Sequence, residues 1–225
     1  MQERTLRTPL MAGGRTLDPS AQRLGWLTAH PPDTPLEILQ RHYTEHGYLW
    51  LKGLIPRETI LAFRQRYFTA YMPHGPTAPA SDLTIAISNP NFNVTARSRR
   101  LDNQAVRWAS YESLCLHPNL IEMFSTLLGG EVHLLKRKLL RRVLAGTDRS
   151  TPAHYDLTYI RGGTDQSLRT AWIPLGDIPV EMGGLVYLDG SDKAGRELEA
   201  ELAEKNRDLP PEEQINAYNR NMREG

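Results

Sequence analysis

The spacing of apolar residues changes at Gly129-Gly130, and this change constrains the fold more than any other feature. Before it, apolar residues recur at helical spacing. Leu36, Leu39 and Tyr43 follow Pro35 and stop at Gly47, and Ile60, Phe63, Tyr67 and Tyr71 form a stripe behind Pro56. Leu120, Ile121, Phe124 and Leu128 form a third. After it come short runs over 132–143, 154–160, 169–175 and 184–188. Gly162-Gly163, Gly176-Asp177, Gly183-Gly184 and Asp189-Gly190 read as the turns between them. The spacing predicts helices over 35–46, 57–71, 118–128 and 193–207, and strands over 48–52, 132–143, 155–160, 169–175 and 184–188. Helices first and strands after predict an α+β fold, a sheet sandwich or jelly roll with helices packed outside.

The flanks carry less pattern. Residues 1–34 are polar and read as an irregular leader. Residues 73–104 hold prolines, serines, asparagines and the basic cluster Arg97, Arg99 and Arg100, and predict a long loop. Beyond Lys193 the period is helical again, broken at Pro210-Pro211. The chain has 225 residues, enough for one sizeable core, and a net charge of +1. That balance points away from nucleic acid and from an anionic membrane surface. Cys115 is the single cysteine, so no internal disulfide forms, which fits a reducing compartment and a cytoplasmic location. No apolar run is long enough to cross a membrane as a helix.

His154 and Asp156 lie two apart in a segment that reads as the end of a strand. Alternate residues of a strand share a face, so both side chains can reach one ion, with Tyr155 turned away. An imidazole with a carboxylate suits non-haem Fe(II), and a third facial ligand would leave open positions for a bidentate co-substrate and dioxygen. The plain alternative is a strand-end histidine beside an exposed aspartate.

The surroundings of the pair are more specific. His154-Tyr155-Asp156 is followed by Thr170-Ala171-Trp172-Ile173-Pro174-Leu175-Gly176-Asp177. Then come Glu181-Met182-Gly183-Gly184 and Gly190-Ser191-Asp192-Lys193. Upstream lies HYTEHGYLWLKGLIPRETI, residues 42–60. In this order the segments resemble the phytanoyl-CoA dioxygenase family of Fe(II)/2-oxoglutarate oxygenases over residues 35–193. Asp192 departs from the histidine usual at that turn, which is not a ligand position.

The resemblance implies a double-stranded β-helix, a cupin-like jelly roll, over residues 35–225, with 193–225 as a helical insert. It implies His154 and Asp156 as iron ligands and 2-oxoglutarate as co-substrate, with ascorbate as reductant in vitro. It places Trp172, Tyr155 and Thr170 at the co-substrate, together with Lys136 on the strand before the pair. Lys136 and Lys138 are two apart and would share a face. A buried lysine there calls for an anion, whereas a solvated edge strand made safe by charge is the simpler reading. A retained carboxylate at Asp156 favours hydroxylation or desaturation of a small organic substrate over halogenation.

The family's second iron-binding histidine and its 2-oxoglutarate arginine lie on late strands. The histidines here are 30, 42, 46, 74, 117, 133 and 154, and none follows His154. The expectation is therefore a jelly roll incomplete at its C-terminal side, and an inactive chain by itself. His133 is the one upstream candidate for the missing ligand, although a satisfied core histidine is the simpler reading. Two further readings stay open: a degenerate relative that binds small molecules or proteins without catalysis, and a metal-dependent cupin of another kind, such as an isomerase.

Overall fold

The computed structural model describes residues 9–12, 15–20, 22–78, 81–92, 96–143, 154, 156 and 167–224. Helix α1, Leu36–His46, starts after Pro35, whose φ of −52° suits the residue before a helix. It stops where Gly47 turns left-handed at φ 77° and its N–H bonds Tyr43 O. Helix α2, Arg57–Tyr71, starts the same way behind Pro56 and buries Phe63, Tyr67 and Tyr71. Helix α5, Pro118–Leu128, carries proline in its first turn and ends at Gly129 with φ 73°. All three match the predicted stripes.

Two helices occupy ground expected to be loop or left unassigned. Helix α3 spans Ala96–Ala105 and α4 spans Ala109–Cys115. They complete the core with α2: Phe63, Tyr67, Tyr71, Ala105, Tyr111 and Leu114 are buried together. The rings of Phe63 and Tyr111 lie 5.5 Å apart and those of Tyr67 and Tyr71 4.6 Å apart. Asp102 on α3 accepts hydrogen bonds from Tyr67 Oη at 2.6 Å and from Tyr71 Oη. Arg142 Nη2 also donates to Asp102, at 3.3 Å, and its guanidinium stacks over Tyr71. One carboxylate thus joins α2, α3 and the segment near 142. Other described residues of the expected loop are strapped by hydrogen bonds. Thr77 bridges Ser88, Asn89 Nδ2 donates to Gly75 O at 2.8 Å, and Arg64 donates to Ile85 O.

The strands depart most from expectation. The described residues contain two small sheets. Strand β1, Met11–Ala12, pairs antiparallel with β2, Arg15–Thr16. Strand β3, Ala29–His30, pairs in parallel with β4, Trp50–Leu51, the short strand expected near 48–52. The runs 132–143, 169–175 and 184–188 form neither strand nor helix. The strand expectations there are corrected, and the jelly roll is not formed by the described residues. The reason is physical. Alternation assigns faces to a run, but a strand exists only when its N–H and C=O groups meet those of a neighbour. Most of the run 155–160 lies outside the described residues.

The segment around 175 is held by arginines of α2. Arg57 grips Asp177 with two bonds of 2.7 and 2.8 Å, and Arg64 Nη1 donates to Leu175 O at 2.8 Å. A side chain at Gly176 would collide with that guanidinium. After the turn comes α6, Asp192–Lys205, then α7, Pro211–Glu224. Among the described side chains of this pair, Leu202 and Ala217 are buried apolar residues. No helix among the described residues is long and apolar enough to cross a membrane.

Candidate metal-binding pair

Neither His154 nor Asp156 lies on a strand. His154 has no regular structure and Asp156 lies in a 3-10 turn, so the expected strand end is corrected. The side chains nevertheless meet: His154 Nε2 stands 3.2 Å from Asp156 Oδ1. Two donors at right angles on one octahedral ion, each about 2.1 Å from it, stand about 3 Å apart. The pair therefore fits two neighbouring positions of an iron site, one nitrogen and one carboxylate oxygen. The imidazole is 28% exposed and the carboxylate 41%, so both can be reached from solvent.

The Asp156 carboxyl is held below the usual carboxylate range. The hydrogen bond with His154 is the main cause and burial opposes it; a bond from the Thr170 hydroxyl and the charges of His154 and Arg141 add to it. Thr170 thus contacts the pair itself. Tyr187, in the run 184–188, lies close enough that the Asp156 charge adds to partial burial in pushing its phenol up. Its ring stacks on Tyr48 at 5.6 Å. Tyr187 and Arg141 are neighbours of the pair outside the expected set. Tyr187 was visible as the polar-tipped aromatic in GLVYL, whereas nothing in the spacing singled out Arg141.

The other expected residues are placed as follows. Trp172 is 47% exposed. Tyr155 lies outside the described residues. Lys136 is exposed and lines an open groove with Asn103, Val106, Arg107, Glu112, Arg137 and Lys138. Lys138 is nearly covered, and the anion it meets is Glu112, 3.2 Å away. His133 is exposed rather than a core residue. Among the described residues no three His, Cys, Asp or Glu side chains are placed to hold one metal ion.

Comparison with known proteins agrees with the motifs. The family model "Phytanoyl-CoA dioxygenase (PhyH)" matches residues 43–223. A protein of Streptomyces exfoliatus named 1-deoxypentalenic acid 11-beta-hydroxylase is 31% identical over 173 residues, 72% of this chain and 58% of the relative. Its namesake from Streptomyces arenae matches with the same identity and coverage. The chain thus spans 58% of the length of these curated relatives. No solved structure matches. With that family model spanning most of its length, the chain belongs to the phytanoyl-CoA dioxygenase family.

Proposed function

We propose that this chain carries the iron-binding half of an Fe(II)/2-oxoglutarate-dependent dioxygenase that hydroxylates or desaturates a small organic substrate. One observation carries the reading: His154 Nε2 and Asp156 Oδ1 converge to 3.2 Å although neither of the two lies on a strand. The names of the two relatives, hydroxylases of one small acid, support the substrate class. The single cysteine supports a cytoplasmic setting.

Bound Fe(II) with 2-oxoglutarate would supply the activation of dioxygen that inserts oxygen into a C–H bond. His154 and Asp156 would hold the metal, each as one ligand. Thr170 would fix the carboxylate by donating to it. Trp172, Tyr155 and Lys136 are proposed at the co-substrate; of these, Lys136 must turn from the groove it lines. Two protein ligands grip iron less firmly than three, because each lost ligand forfeits binding that even its outer partners change by about 10–100-fold. Residues 1–225 alone are therefore expected to turn over little 2-oxoglutarate.

The test is succinate formation with Fe(II), ascorbate and 2-oxoglutarate. It compares residues 1–225 with the same chain continued through a segment bearing a histidine and an arginine. The continued form is expected to produce succinate, and His154→Ala or Asp156→Ala to abolish it. Absence of succinate from both forms would favour a non-catalytic binder. Robust succinate from residues 1–225, lost in His154→Ala, would place the third ligand upstream, with His133 the first to replace.

A further inference from the structure

Away from the iron pair, three histidines from two elements share one small space. His42 and His46 lie four apart on α1 and so on one face, with ring centres 4.5 Å apart. His30, on β3, sets its ring edge-on to His42 at 4.7 Å. Tyr48, just past α1, closes the group at 5.0 Å from His42. His46 Nδ1 stands 2.8 Å from Asp189 Oδ1, on the turn that leads into α6. Leader strand, helix end and turn are therefore joined through imidazoles.

The group is unevenly satisfied. His46 has Asp189 at 2.8 Å and Glu45 at 3.9 Å. Nε2 of His30 and of His42 are buried without a hydrogen-bond partner. A proton on His42 would add a buried donor with no acceptor, 4.5 Å from the ring of His46 and 4.7 Å from that of His30. Other charges nearby offer His42 little relief. Asp192, beside Gly47, is paired with Arg196, and Lys52 sits over Trp50. His42 is accordingly held below the ordinary histidine value, by burial first and then by His46 and His30, with Glu45 and Asp189 opposing.

We propose that the His30–His42–His46 group is a proton-sensitive clasp. Neutral at His42, it fixes β3 to the end of α1; a proton on His42 frees β3. Strand β3 is the element that yields because little else holds it. It makes a two-residue parallel pairing with β4, a bond from Lys52 N to His30 O at 3.0 Å, and a bond from Thr28 N to Tyr48 Oη at 3.1 Å. Helix α1 keeps its internal bonds whatever the charge. The sign follows from linkage. A histidine lowered in the folded state binds fewer protons than the unfolded chain as pH falls past about 6.5, so the clasp holds above that value and weakens below it. The inference does not rest on the iron reading.

Amide hydrogen exchange on the full chain tests it, corrected for the intrinsic pH dependence of exchange. The Thr28 and Lys52 amides are expected to lose at least about tenfold of their protection between about pH 7.5 and pH 5.5, while the Leu39 amide within α1 keeps its own. His42→Phe keeps an aromatic ring without a proton and should flatten that pH dependence. A flat profile in the unmodified chain, or an undiminished drop in His42→Phe, overturns the clasp. Should that variant fail to fold, NMR titration of the unmodified chain decides. A His42 midpoint below 6.5 supports the proposal, and one at or above 6.5 overturns it.

Discussion

Residues 36–128 and residues 131–191 differ in how their backbones are satisfied. In the first region α1, α2, α4 and α5 bond within themselves and end on Pro- and Gly-marked caps or tight turns, and α2, α3 and α4 bury a shared aromatic core. In the second, the described runs carry strand-like sequence without ladders. Apolar side chains there stay in water: Leu139 is 56% exposed, Val186 59% and Leu188 81%. The comparison teaches that a helix closes its hydrogen bonds within one segment, while a strand depends on another. Helical apolar spacing is therefore sufficient for local structure in a way that alternation is not.

The largest test of this contrast is amide exchange across the two regions. Amides inside α2 and α5 are expected to exchange on the order of a thousandfold more slowly than those of 132–143 and 184–188, after correction for intrinsic rates. Equal protection would mean that the runs are paired after all, and the comparison would break.

Next comes paired truncation, read from urea midpoints. Phe63 is 4% exposed and packs on Tyr67, Trp108 and Tyr111, so Phe63→Ala should destabilise by about 3–5 kcal/mol. Leu188→Ala, at a site 81% exposed, should change stability by less than about 0.5 kcal/mol. A large loss at Leu188 would place that run in a hidden core.

The smallest expected effect sharpens the description of the helical region. Burial, and then the bond to Asp102, push the phenols of Tyr67 and Tyr71 above their ordinary value of 10.0. Tyr111 is pushed up to about 12, by burial first. A raised phenol binds its proton more tightly folded than unfolded. The stability it contributes is whole below about pH 10 and is lost as pH climbs beyond. Urea midpoints should therefore fall above that pH, and Tyr67→Phe should make the fall shallower while Leu188→Ala leaves it unchanged. An unaltered slope in Tyr67→Phe would remove the Tyr–Asp102 network from the core's energetics.

Much of the helical region was legible. Pro35, Pro56 and Pro118 mark starts, Gly47 and Gly129 mark stops, and the stripe Phe63–Tyr67–Tyr71 is the buried face of α2. Helices α3 and α4 were not, because prolines, serines and arginines around them outweighed short signals. Leu101 with Ala105 and Tyr111 with Leu114 carry helical spacing, but each over barely one turn. At the candidate site, the pairing of His154 with Asp156 was legible from their spacing, although the geometry that delivers it is a turn at Asp156 and not a strand. Thr170 was legible only as a neighbour of the co-substrate, and its contact with Asp156 spans fourteen positions of chain.

The sequence by itself determined the boundaries of α1, α2 and α5, the charge balance and the two donors two residues apart. Those depend on interactions reaching a few positions along the chain, where residue type settles geometry. Only the tertiary structure decided that Asp102 ties three segments, that Lys138 meets Glu112, and that His30 joins His42 and His46. It also decided that the runs after Gly130 stay unpaired among the described residues. Each is a contact between distant positions, and such a contact forms only where packing brings complementary groups within a few ångströms, a condition that residue order does not encode locally.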